Sequence, residues 1–298
     1  MTLAAQPTPG PLALQPRAGR QTVALLDMDP DLGARIAPER FAMARHEIRA
    51  ISFELRRGEW SPWEAGPLTG SHAGCLVVDG VLAREIVLED MVSTELLGPG
   101  DLIRPWSAEE PSLLRPRVRW QVLAEAQMAV LGRSFTDALH RYPELNEALT
   151  DRALARSERL ATTQAISHLN SVERRVCALL WHLAERWGKV TGDGIVVPLT
   201  LSHRLLGELV GARRPTVSTA LAALERQGKV RRREDATWLL TGEPPGTPTA
   251  RVGRVVSHRR RLVSRQAGPA LSVVDGSRGA TRHPAPTRLP RADRATNR

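Results

Sequence analysis

Two cysteines, Cys75 and Cys177, are all the thiols in these 298 residues, and they stand about a hundred positions apart. That scarcity excludes a disulfide framework and a cysteine-ligated metal or iron–sulfur cluster, so both are read as buried and inert. The eight histidines form no ligand-like pair, and no resident cofactor or metal is expected. No apolar run approaches the ~20 residues that cross a bilayer. The opening MTLAAQPTPGPLALQPRAGR is broken by prolines where a signal peptide needs an unbroken apolar core. No membrane partner is expected, and the reading places the chain in the cytoplasm. Phosphate-cradling glycine loops, metal-ligand spacings and nucleophile motifs are also missing, which argues against an enzyme.

Lysine is nearly absent: of 42 basic residues only Lys189 and Lys229 are lysine. The skew is attributed first to base composition of the genome and second to phosphate contacts. The net charge of +10 sits mostly in residues 242–298, where twelve arginines face only Glu243, Asp275 and Asp293, a net +9. The rest of the chain is close to neutral, so the charge alone is weak support for a nucleic-acid partner.

What is present is organised around Leu201 to Glu225. Leu205, Leu206, Leu209 and Val210 recur at helical spacing, with Ser202 as N-cap and Gly211 as stop. Val217, Leu221 and Leu224 then give a second helix its buried stripe, with Pro215 in the first turn where a missing N–H is harmless. Arg213, Arg214, Thr216, Ser218 and Thr219 crowd its start, a polar and basic end suited to phosphates and base edges. Downstream, Lys229 to Arg233, a turn at Glu234 and Asp235, and Ala236 to Leu240 read as a basic two-stranded wing with Trp238 beneath it. A helix-turn-helix closed by such a wing points to DNA more strongly than a helical hairpin would.

Upstream, residues 1–30 read as a flexible leader. From Glu47, short apolar segments alternate with glycine and Asp-Gly turns, which predicts a small antiparallel barrel or sandwich. Leu76–Val78, Asp79-Gly80 and Val81–Ala83 form the clearest hairpin signal. Ser134–His140 predicts a short helix, and residues 144–169 a long one whose apolar seam is interrupted by Arg152, Arg156 and Arg159. A dimer seam and a helix packed on its own domain are both open for it. Val172–Trp187 predicts another helix, capped by Asn170 or Ser171, and Gly188, Gly192 and Gly194 a loose link to the helix-turn-helix. The division is therefore a leader (1–30), a sensor barrel (31–143), a connecting or dimerisation helix (144–170), a winged helix-turn-helix domain (171–241) and a disordered basic tail (242–298). The fold class is α+β.

Barrel, long helix and winged helix-turn-helix, in that order, resemble the catabolite activator and fumarate-nitrate regulator (Crp/Fnr) family over roughly residues 45–241. The motifs that carry the resemblance are LSHRLLGELVGARRPTVSTALAALERQGKV, LRRGE at 55–59 and LGPGD at 97–101. The resemblance implies a homodimer that reads a two-fold symmetric site on double-stranded DNA and alters transcription, with RNA polymerase as a further partner. It implies Arg214 as a bidentate reader of guanine, Ser202 and His203 at a phosphate, and Thr216 and Ser218 as phosphate or base contacts, while Arg213 and Thr219 are candidates from their place at the helix start. Pro215 and Thr219 depart from the family, so its familiar operator is not carried over. Leu102, Ile103, Arg104, Pro105 and Trp106 stand where cyclic-nucleotide binders hold ribose with a glutamate, and Arg115–Arg119 lacks their Arg-Ser-Ala form. The expected effector is therefore something other than cyclic AMP bound in the family's manner, or none, and its identity is unknown. Trp60, Trp63 and Trp106 could line a pocket for it or belong to the core. The competing reading is a small-molecule sensor that acts through protein contacts, with a degenerate helix-turn-helix.

Overall fold

The computed structural model describes residues 20–62, 73–105, 113–114 and 116–246. The leader before Arg20, Trp63, Trp106, Arg115 and the basic tail beyond Gly246 lie outside them. In chain order come β1 (Gln21–Ala24), α1 (Leu25–Met28), a 3-10 turn (Pro30–Gly33), α2 (Pro38–Glu47), β2 (Arg49–Leu55) and β3 (Gly58–Trp60). The sheet continues through β4 (Gly74–Leu88), β5 (Met91–Leu97), β6 (Leu102–Ile103) and β7 (Arg117–Leu131). Then follow α3 (Arg133–Arg141), α4 (Glu144–Ser167), α5 (Val172–Trp187), β8 (Lys189–Thr191), β9 (Gly194–Val197), α6 (His203–Val210), α7 (Arg214–Arg226), β10 (Val230–Arg232) and β11 (Trp238–Leu240). No helix among the described residues is long and apolar enough to cross a membrane.

The first seven strands make one antiparallel sheet in the order β1-β2-β7-β4-β5, with β3 on β7 and β6 on β4. No pairing of β5 with β1 closes it into a barrel among the described residues. Its centre is the long pair β4–β7, and this corrects the hairpin expected at Asp79-Gly80. Both strands run 15 residues, and the Asp79-Gly80 pair makes a bulge in β4 instead of a turn, with register shifts between Val77 and Leu82. Gly80 has φ +90°, and a Cβ there would lie 2.3 Å from the Glu125 carbonyl oxygen. The bulge also changes which face each residue meets. Before it, Cys75 and Val77 share an apolar cluster with Met128 and Val130 of β7; after it, Leu82 joins that cluster while Val81 and Ala83 point to the opposite one. The real two-residue hairpin lies at Glu89-Asp90, joining β4 to β5, with Glu89 at φ +54°.

The leader reading fails between Arg20 and residue 30. Gln21–Ala24 pairs with β2, and Leu25 and Leu26 are buried with Leu32, Ile48, Phe135 and Leu145 in a second cluster behind the sheet. Asp29 caps the following 3-10 turn by accepting from Leu32 N, and its carboxylate receives both Arg152 Nη atoms at 2.6 and 2.8 Å.

That pair begins the seam of α4. Arg152, Arg156 and Arg159 recur at i, i+4 and i+7 and meet Asp29, Glu95 and Asp101 in turn, so the arginines that interrupt the apolar pattern fasten α4 to the N-terminal sheet and its adjoining turns. Leu154 and Leu160 stay 59% and 41% exposed. Ser171 caps α5 through Arg174 N, and the glycines after α5 do not loosen a link. They shape β8 and β9, which extend the expected two-stranded wing to four strands in the order β10-β11-β9-β8. Gly194 has φ +143° with the Leu240 carbonyl 2.2 Å from where a Cβ would sit. Val176, Leu179, Leu180, Leu206, Val217 and Trp238 form the core of this domain, and Val81, Ala83 and Leu96 of the sheet belong to the same cluster. Both cysteines are buried, and burial pushes both thiols up.

Candidate DNA interface

The interface is built on a tight turn between two helices. Ser202 caps α6 by accepting from Leu205 N at 3.1 Å, and Gly211 ends it in the left-handed region at φ +64°. Gly207 is a residue that periodicity gave no reason to single out. The Ala212 carbonyl would lie 2.4 Å from a Cβ there, so the absent side chain is what lets the turn fold back onto α6. Replacing Ser202 by alanine removes one cap and should cost about 1 kcal/mol of stability in a denaturant titration, with little change in wing packing.

α7 carries two faces. Val217, Ala220, Leu221 and Leu224 are buried, while Arg213, Arg214, Pro215, Thr216 and Thr219 are exposed. Arg213 is the N-cap and makes no side-chain cap bond. Two guanidinium groups at a helix N-terminus face the positive end of its dipole, an arrangement that weakens the isolated helix and suits an anionic ligand that brings compensating charge. Ser218 is half-buried and is drawn inward: its Oγ lies 3.1 Å from the Arg214 carbonyl and 2.8 Å from His203 Nδ1. Thr219 Oγ1 likewise donates to the Pro215 carbonyl at 3.2 Å. Of the expected site residues, Arg213, Arg214, Thr216 and Thr219 thus share the open start of α7. His203 and Ser218 join α6 to α7, and Ser202 is exposed with its hydroxyl occupied as a cap.

Two arginines outside the expected set belong to this surface. Arg232 of β10 stacks on the Trp238 ring at 5.6 Å from its centroid and acts electrostatically on His203, as does Arg214. Arg175 of α5 donates Nε to the Leu169 carbonyl at 2.7 Å and Nη1 towards the Val210 and Gly211 carbonyls at 3.4 and 3.5 Å, bracing the turn against the end of α4. A single arginine in the sequence of α5 carries no signal of these long-range partners. The wing was legible as basic, and only its register with Trp238 brings Arg232 to His203.

The N-terminal half holds a cavity of about 330 Å³ lined by Arg84, Leu102, Ile103, Arg104, Trp120 and Arg156. Trp60 packs edge-on against Trp120, with ring centroids 5.7 Å apart, so it belongs to the core behind this cavity rather than to its lining. Glu95 pairs with both Arg84 and Arg156, Arg104 Nε donates to the Ala73 carbonyl, and Arg84 Nε is buried without a partner among the described residues. Desolvation lowers the Arg84 pKa, and the Glu95 carboxylate opposes that shift.

Residues 174–241 match the Crp-like helix-turn-helix domain. Over 151 residues, 49% of this chain and 65% of the relative, the sequence is 32% identical to the regulatory protein CysR of Synechococcus elongatus. It is 30% identical over 46% of this chain and 60% of the relative to the CRP-like cAMP-activated global transcriptional regulator of Mycobacterium tuberculosis. The chain thus spans less than two thirds of the length of these curated relatives. A cyclic nucleotide-binding domain containing protein from Listeria monocytogenes EGD-e shares the fold at TM-score 0.53, with 14% identity over 71% of this chain and 96% of that one.

Proposed function

We propose that this chain, whose residues 174–241 match the Crp-like helix-turn-helix domain, is a sequence-specific transcription regulator that binds a two-fold symmetric DNA site as a homodimer. The observation that carries the reading is the division of α7, whose apolar face is buried while Arg213, Arg214, Thr216 and Thr219 stand open at its first turns. In a major groove, Arg214 presents a planar fork that matches O6 and N7 of guanine, and Thr216 and Thr219 present hydroxyls to neighbouring base edges or phosphates. The exposed Leu154 of α4, on the face away from the arginine seam, offers an apolar contact to a second copy, which would set two α7 helices about one helical turn of DNA apart.

Input is assigned to the sensor cavity. The lining carries Arg84, Arg104 and Arg156 and no carboxylate, and Glu95 is shared between Arg84 and Arg156, so it favours an anionic effector and disfavours the family's way of holding cyclic AMP. Because Arg156 belongs to α4, such a ligand would bear directly on the helix that leads to the DNA-binding half.

Arg214→Ala tests the output end. It should weaken binding to the selected site by about 1–3 kcal/mol, roughly 5- to 150-fold, and relax specificity at one base position. A gel-shift series with equal loss on random duplex would contradict base reading by this residue.

A further inference from the structure

The pair formed by His203 and Ser218 has a proton logic that the DNA-reading role alone does not require. Ser218 Oγ has one hydrogen and two neighbours, the Arg214 carbonyl at 3.1 Å and His203 Nδ1 at 2.8 Å. A carbonyl only accepts. When the hydroxyl closes the i to i−4 bond within α7, its lone pair is left for His203, and Nδ1 must be the donor. A neutral imidazole carries a single N–H, so with the proton on Nδ1 the other nitrogen, Nε2, is a bare acceptor. No bond to Nε2 occurs among the described residues. A bare lone pair repels a phosphate oxygen, whereas a protonated Nε2 donates to it and adds a positive charge.

We propose that His203 is a proton-gated phosphate contact, silent towards the DNA backbone when neutral and engaged when Nε2 takes up a proton. The inference rests on the DNA-reading function proposed above. The charged groups that face the imidazole are Arg214 of α7 and Arg232 of β10, both cations. Burial first, and then these two arginines, hold the imidazole below its ordinary value of 6.5, so the free protein at neutral pH carries it uncharged. A phosphate oxygen at Nε2 places a negative charge beside the imidazole and opposes the shift. DNA binding therefore takes up a proton per site, and affinity is greatest at low pH and falls as pH rises through the window between the free and bound values.

The test is fluorescence anisotropy on the full chain with a labelled duplex carrying its selected site, at constant ionic strength, from about pH 5.5 to about pH 8.5. Wild type should weaken roughly tenfold across this range, beyond any drift shared with the variants. His203→Gln should show no such slope, and His203→Arg should bind tightly at every pH. Parallel slopes in wild type and His203→Gln, or a slope retained in His203→Arg, would overturn the gate. Loss of selective binding by wild type even at the acid end would overturn the DNA-reading function and the gate with it. Long-range proton–nitrogen correlation spectra of the free protein add a direct check: Nδ1–H is expected in the neutral form, and an Nε2–H tautomer would refute the mechanism.

Discussion

Asp101→Ala is expected to lower stability by about 3 kcal/mol and to uncouple the N-terminal sheet from α4 and α5. The Asp101 side chain is almost wholly buried, yet it serves three elements. Oδ2 accepts from Gly98 N at 2.9 Å and from Arg186 Nη1 of α5 at 2.8 Å, while Oδ1 accepts from Arg159 of α4. Arg186 extends the contact to the Pro99 carbonyl. Removing the carboxylate leaves two guanidinium groups facing each other without their anion, and breaking a buried pair in this way costs about 3–5 kcal/mol. The low end applies because Arg159 and Arg186 keep 31% and 18% of their side-chain surface and can turn towards water. Thermal unfolding should shift down by roughly 6–12 °C. Asp101→Asn keeps one acceptor oxygen for Gly98 N and should lose less. An unchanged melting temperature in Asp101→Ala would show that the LGPGD turn, α4 and α5 are not joined through this residue.

Trp238→Ala should cost about 3–5 kcal/mol, the range for truncating a large buried aromatic side chain. Trp238 lies opposite Val197 of β9 and Arg232 of β10 in the wing sheet and is 1% exposed, so the loss leaves a void at the junction of wing and helices. It also removes the ring on which Arg232 stacks, and DNA affinity should fall with stability. Trp238→Phe separates the two effects. The indole Nε1 has no partner among the described residues, so phenylalanine forfeits no hydrogen bond and retains most of the apolar contact. It should be markedly milder in both urea unfolding and DNA binding; equal damage from both variants would mean that volume is not what the site requires.

The elements that the sequence specified best are those with local end signals. α5 and α6 are bounded by Ser171, Ser202 and Gly211, residues whose own side chains or backbone freedom set the boundary. The failures come where one local signal serves two structures. Asp79-Gly80 satisfies a two-residue turn and a bulge equally well, and the choice belongs to β7, about 45 positions away, which runs unbroken past it. The true turn, Glu89-Asp90, lacks the glycine or asparagine that announces one. Gln21–Met28 is too short and too mixed to call for a core, and it is ordered by partners in β2, α3 and α4. β8 has three exposed residues and no pattern at all. Along Arg152, Arg156 and Arg159, α4 packs on its own domain, and the Leu154 face is left for the proposed second copy. At the site, residue types were readable at the start of α7, because exposure there follows directly from the buried stripe on the other face. Arg175, Gly207 and Arg232 were not, since each acts through a contact with another element.

The central claim is that the two-faced α7 reads base sequence in a symmetric pair. Selection of bound genomic fragments by the purified full chain, followed by sequencing, tests it most directly. An enriched two-fold symmetric sequence, with half-sites centred about one helical turn apart, is the predicted result. Fragments retained without any enriched sequence would contradict it and favour a sensor that acts through protein contacts.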